Sequence, residues 1–271
     1  MTELSPVPAD CLYDYKGVCW WCGAEATSRE HKWKRTEVTK IFGRGHYGDD
    51  VAWLHDDTVE SLRGPKAAGF MFSKSLCHTC NGARSQPFDD AYSIWSDYLI
   101  ENHDEILELP LADVAIDFGE VFGTDIDEML PLLGRYYAKH IGCRVAENAG
   151  RVPDSLIAYL SGEVDQPVGV FSQLGVRIGL VDIIDQFEGD SLMLSLRASA
   201  ANYDRTRRIL TSFKSGVGVG ALEFFYDINL DPDAEVGPSS GILRSPQQTL
   251  WLHDENVHGV QMMVEGLAPG A

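Results

Sequence analysis

Two Cys-x-x-Cys pairs, Cys19/Cys22 and Cys77/Cys80, bracket the dipeptide Glu30-His31, and Asn81 directly follows the last cysteine. Each pair puts two thiolates on one tight turn, and two such pairs complete the four-sulfur shell of a closed tetrahedral zinc site. Glu30 and Asn81 are surplus to that shell. Their oxygens are hard ligands of the kind that Mg²⁺ or Mn²⁺ prefers. His31 is the side chain whose ordinary pKa lets it take a proton from water near neutrality. A base beside oxygen ligands for a divalent cation points to metal-assisted hydrolysis of a phosphodiester.

Charge distribution supports a nucleic-acid substrate locally and opposes it globally. The chain of 271 residues carries a net charge of −19, which by itself disfavours phosphate binding. Residues 11–90 are neutral, with 11 Lys/Arg against 11 Asp/Glu, whereas residues 91–271 carry 11 against 28. Around His31, the segment from Ser28 to Arg44 holds six basic residues and two acidic ones. Lys32, Lys34, Arg35 and, after Asn81, Arg84 are therefore the expected contacts to backbone phosphates. Trp20, Trp21 and Trp33 could stack on bases or pack over the zinc.

The elements that must hold these residues follow from periodicity. Residues 11–87, rich in Gly, Trp, Lys and His, read as a metal-stapled module with an excursion from Thr36 to Gly69. Within it, Val51–Leu54 and Thr58–Leu62 are predicted strands, expected beside His31. Helices are predicted over Asp89–Leu109, Asp125–Ala146 and Pro153–Leu160. Strands are expected over Val168–Leu174, Val176–Ile184, Ser191–Ala198, Val217–Asn229 and Gln248–His253, with a helix over Asn202–Phe213. The fold class is thus α+β: a zinc-stapled nuclease-like unit (11–110), a helical connecting region (111–162), and an acidic, mostly antiparallel α+β half (163–271). That acidic half could take a protein or ligand partner. Cys11 and Cys143 read as buried small hydrophobes. With no signal peptide or membrane span evident, a cytoplasmic protein with reduced thiols is expected.

The order Cys-x-x-Cys, Glu-His, Leu-Cys-x-x-Cys-Asn resembles the HNH endonucleases of the zinc-stapled ββα-metal (treble-clef) type. The string from Lys74 to Asp89, and more weakly Tyr136 to Arg144, is also similar to uncharacterised bacterial and phage proteins that carry an HNH motif. The resemblance implies a structural Zn²⁺ on the four cysteines and a catalytic Mg²⁺ or Mn²⁺ on Glu30 and Asn81. It further implies that His31 is the general base. DNA is the expected substrate, because the expected contacts are to phosphates and the motif encodes no base readout. The chain departs from the family where a central Asn usually precedes the third cysteine; here stand Phe72-Ser73-Lys74, with Ser73 or His46 as substitutes. A zinc module that binds nucleic acid or a protein without cutting is the alternative reading.

Overall fold

The computed structural model describes residues 7–47, 51–55, 58–108, 115–177, 180–181, 193–235, 241–253 and 260–265. Two antiparallel strands, β1 (Ser28–His31) and β4 (Met71–Leu76), carry the Glu-His dipeptide and lead into the second cysteine pair. Between them lie a short helix, α1 (Arg35–Ile41), and a hairpin of β2 (Val51–His55) with β3 (Thr58–Ser61). After the cysteines comes α2 (Gln86–Glu101), with Pro87 in its first turn, where a missing amide hydrogen costs nothing.

The long helix α5 (Ile126–Glu147) was expected to bury a stripe. Instead it is buried without a break from Tyr136 to Val145, as befits a helix enclosed on all sides. On one side Tyr136 stacks on Tyr92 of α2, with ring centroids 3.7 Å apart. On another, Tyr137 stacks on Phe224 at 3.7 Å and accepts a 2.8 Å bond from Trp95 Nε1. Gly142 receives the Trp20 ring so closely that a Cβ there would lie 2.4 Å from it. The first cysteine pair is thereby seated on α5. The third expected helix forms as α6 (Asp154–Leu160).

Phe224 belongs to a nine-stranded sheet in the order β12 (Trp251–His253), β6 (Val170–Arg177), β10 (Leu222–Asn229), β9 (Ile209–Val219), β7 (Leu194–Arg197), β13 (Val260–Glu265), β2, β3; β8 (Ala200–Asp204) pairs with β9. Among the described strands, only β12 and β6 pair in parallel. A further antiparallel pair joins β5 (Ala115–Asp117) to β11 (Gln247–Thr249). The mixed α+β class with largely antiparallel sheets is as the sequence indicates. The sheet also draws strands from both 51–61 and 170–265, because β13 pairs with β2 from Met262↔Leu54 to Glu265↔Val51. The excursion thus joins the main sheet, yet it stays near β1, since Trp53 meets Trp33 edge-on at 6.0 Å. Trp33 is fully buried and donates from Nε1 to the Gly218 carbonyl of β9 at 3.2 Å. No described helix is long and apolar enough to cross a membrane.

Four local expectations are corrected. The segment Asn202–Phe213 is a β8–β9 hairpin and not a helix: Asp204 Oδ1 accepts from the amides of Thr206 and Arg207, closing a turn where the helix would run. The stretch Val217–Asn229 is broken by the turn at Gly220, whose φ of +57° favours glycine. The helix from Asp89 breaks at Asn102 into α2 and α3 (His103–Glu108). The break lets buried His103 accept the Ala221 amide on Nε2 at 3.2 Å. The expected strands 168–174 and 176–184 run together as β6 through Gly175 to Arg177; residues 180–181 are helical, and residues 178–179 and 182–184 lie outside the described residues.

Helix α1 is fastened to α2 by a buried carboxylate. Glu37 Oε1 accepts from Tyr92 Oη and Ser96 Oγ, each at 2.9 Å. Burial pushes its pKa up to about 7, against the pull of those hydroxyls. Folding therefore favours the protonated acid. The stabilisation is complete below the ordinary carboxylate value of 4.5 and is lost as pH rises through about 7. Glu37→Gln should raise stability at about pH 8 by on the order of 1–3 kcal/mol and change little at about pH 5. Denaturant titrations at both pH values check this; equal effects at the two would refute it.

Candidate metal centre and active site

The four cysteine sulfurs converge. Cys19, Cys22, Cys77 and Cys80 bring their Sγ atoms within 4.8 Å of one another, and Cys22 and Cys77 are 3.6 Å apart. Four thiolates about 2.3 Å from a tetrahedral ion sit about 3.8 Å from each other, so the cluster fits a metal such as zinc. The first turn closes through the Gly23 amide on the Cys19 carbonyl at 2.8 Å, with Gly23 at φ +76°. The second closes through the Asn81 amide on the Cys77 carbonyl at 3.0 Å. The Cys80 amide also donates to Cys77 Sγ and draws that thiol down to about 7. Arg84 stacks over Trp21 at 4.3 Å and points at Cys80 Sγ. It also donates to Ser161 Oγ at 2.9 Å, so this guanidinium braces the cluster.

Beside the cluster, β1 is irregular. Its register against β4 runs Ser28↔Leu76, Arg29↔Lys74, His31↔Met71, with a shift on either side of Arg29. Neighbours in a regular strand point to opposite faces, and bulges re-aim them. Glu30 and His31 accordingly feel the same charges, Lys139 and Asp89. Asn81 anchors the strand: its Nδ2 donates to the Arg29 carbonyl at 3.0 Å and to Ser28 Oγ at 2.8 Å. Of the expected substitutes for a central Asn, Ser73 is exposed and shares a depression with Tyr13 and Tyr15, whereas His46 lies on a separate groove.

Lys139 of α5 is the residue that sequence reasoning missed. Its ammonium, 2% exposed, contacts Asp89 at 2.9 Å, Glu30 at 3.3 Å and Ser85 Oγ at 3.2 Å. Burial alone would strip its proton, but the two carboxylates overcome that and raise its pKa. Glu30 is the poorer partner. Burial and the competing Asp89 charge push its carboxyl above the ordinary value despite Lys139. Only a lysine inside an otherwise apolar, buried helix could have signalled this, and the stripe alone did not.

His31 is half-buried, and its Nε2 is buried with no hydrogen-bond partner. Burial, then Arg35 and Lys139, hold its pKa below the ordinary imidazole value, so the ring is neutral at pH 7, as a base must be. The Asn81 Oδ1 is also buried and unpartnered. The Glu30 carboxylate, the other expected oxygen ligand, already has the Lys139 ammonium at 3.3 Å.

The expected phosphate contacts separate. Lys32 is half-buried against Trp53 and Phe72, with Glu147 at 3.8 Å. Lys34 donates to the Asp89 carbonyl and Ser93 Oγ of α2. Arg35 alone of the three is exposed without a partner among the described residues. Trp20, Trp21 and Trp33 are all buried. Cys11 and Cys143 are buried, as expected.

Elemental analysis should find about one zinc per chain, and Cys77→Ser should lower both zinc content and melting temperature, since binding energy here is folding energy. Zinc-free protein with an intact fold would refute the centre. Lys139→Met leaves the half-buried Glu30 and Asp89 carboxylates sharing one site and should cost about 3–5 kcal/mol near pH 7.5, less near pH 5, where protonation of Glu30 relieves their repulsion. A loss independent of pH would deny Lys139 this role. Among known proteins, no family model, no curated sequence and no solved structure matches this chain.

Proposed function

We propose that this protein is a metal-dependent endonuclease of the HNH type, cleaving DNA phosphodiesters with a treble-clef ββα-metal unit formed by β1, β4, the cysteine cluster and α2. One observation supports the reading: His31, held neutral by burial and two neighbouring cations, keeps an unpartnered Nε2 on the strand that carries Glu30 and that Asn81 anchors.

In this mechanism His31 Nε2 takes a proton from water as its oxygen attacks phosphorus in line with the leaving oxygen. Arg35 and Lys139 place positive charge near the crowded, doubly charged phosphorane. Glu30 and Asn81 would hold Mg²⁺ or Mn²⁺, which supplies Lewis-acid stabilisation of the same charge. The bond between phosphorus and the leaving oxygen then breaks, and that oxygen is protonated from solvent.

A second reading, a zinc module that binds nucleic acid or a protein without cutting, draws on the pairing of Glu30 with Lys139, which occupies part of the cation's place. Nicking of a supercoiled plasmid distinguishes the two. His31→Ala should keep zinc content and melting temperature and lower cleavage by on the order of 10²–10⁴. Glu30→Ala should raise the Mg²⁺ or Mn²⁺ concentration needed for half-maximal rate. Wild-type protein inert with Mg²⁺, Mn²⁺ and Ni²⁺ on DNA and RNA would establish the binding module instead.

A further inference from the structure

Beyond His31, the excursion builds a groove of about 820 Å³ between α1, the loop Gly43–His46 and the loop Arg63–Ala67. The two loops are locked together. The Tyr47 amide donates to the Arg63 carbonyl at 3.3 Å, and Gly64 sits so close to Gly45 that a Cβ would lie 2.8 Å from its carbonyl oxygen. With φ at +155°, Gly64 also takes a backbone conformation that side chains rarely adopt. The groove is therefore a formed surface.

Its lining includes Arg35, Arg44, Arg63 and Lys66, all exposed, and no carboxylate among the described residues. None of these four cations is in an ion pair with another described residue, whereas Lys32, Lys40, Lys139, Arg144, Arg197 and Arg207 all are. Four like charges gathered on a chain of net −19 repel one another unless an anion lies among them. Arg35 acts electrostatically on His31, so one end of the groove adjoins the candidate base. Among the described residues no Phe, Tyr or Trp lines it, His46 supplying its one ring; Phe42 and Tyr47 beside it are buried in the core. A groove for single strands needs rings on which bases stack, whereas one for a duplex needs cations that track phosphates.

We infer that the groove holds the sugar–phosphate backbone of duplex DNA and leads it to His31, reading charge and not base sequence. This deepens the nuclease reading and rests on it for the role of His31; the binding itself is testable apart from cleavage.

The test is fluorescence anisotropy with a labelled duplex of about 20 base pairs, using His31→Ala protein without added Mg²⁺ or Mn²⁺, from about 50 to 200 mM salt. Four phosphate contacts imply a log–log slope of about −3 to −4, a loss of roughly 10²-fold across that range. Arg44→Ala and Arg63→Ala should each flatten the slope by about 1 and weaken binding equally on unrelated sequences. Lys214→Ala, an exposed charge on β9, should leave the slope unchanged. A flat slope, groove variants matching the parent, or an equal effect of Lys214→Ala would overturn the inference, and tighter binding of the single strand would overturn the duplex assignment. If the slopes behave as stated but wild-type protein never cleaves, the groove stands and the nuclease reading falls. If His31-dependent cleavage is found and the groove variants bind like the parent, the reverse holds.

Discussion

The buried ammonium of Lys139 is the constraint on which the candidate site depends. A charge taken out of water costs several kcal/mol unless partners of opposite sign surround it. Lys139 therefore holds α5 to Glu30 of β1 and to Asp89 and Ser85 at the start of α2. Three elements meet at one nitrogen. The sharing is unequal, since Asp89 lies nearer, and Glu30 is left with a weaker hold on its charge. A carboxylate in that condition gains more from an added cation than one already well paired.

The cysteine cluster and the aromatic layer complete the same frame from opposite sides. The cluster ties the turn before β1 to the turn before α2, and Trp20 presses that unit against Gly142 of α5. Tyr136 and Tyr137 then link α5 to α2 and to the main sheet by stacked rings, contacts that add to the area they bury. Trp33 closes the frame by reaching from just beyond His31 to the sheet at Gly218. Position along β1 is thus determined from both ends, and the two bulges set the directions of Glu30 and His31 between those anchors.

Electrostatics separates the surface from the interior of this region. Of the six basic residues around His31, Lys32 and Lys34 are turned inward and spent on packing and helix contacts. The long stems of such residues cover apolar surface as readily as they present charge. Arg29 and Lys40 are exposed away from the groove, Lys40 against Asp97, whereas Arg35 and Arg44 share it with Arg63 and Lys66. A count of local charge could not separate the two groups, because both contribute equally to it.

What the sequence determines by itself is contiguous. Two Cys-x-x-Cys turns, the Glu-His dipeptide, the Asn after the last cysteine, the helices at α2, α5 and α6 and the β2–β3 hairpin are all written in short-range spacing, where backbone geometry leaves few choices. Even there, the β8–β9 hairpin read as a helix, since a pair of apolar residues three apart suits either element until its neighbours are known. Tertiary structure alone decided that Lys139 stands among Glu30, Asp89 and Ser85 and that Asn81 grips β1. It also decided that Arg44, Arg63 and Lys66 share a groove with Arg35. The physical reason is common to all of these: charge and hydrogen bonding act through space between segments far apart in the chain. Their partners are chosen by packing around α5, and no local pattern encodes it.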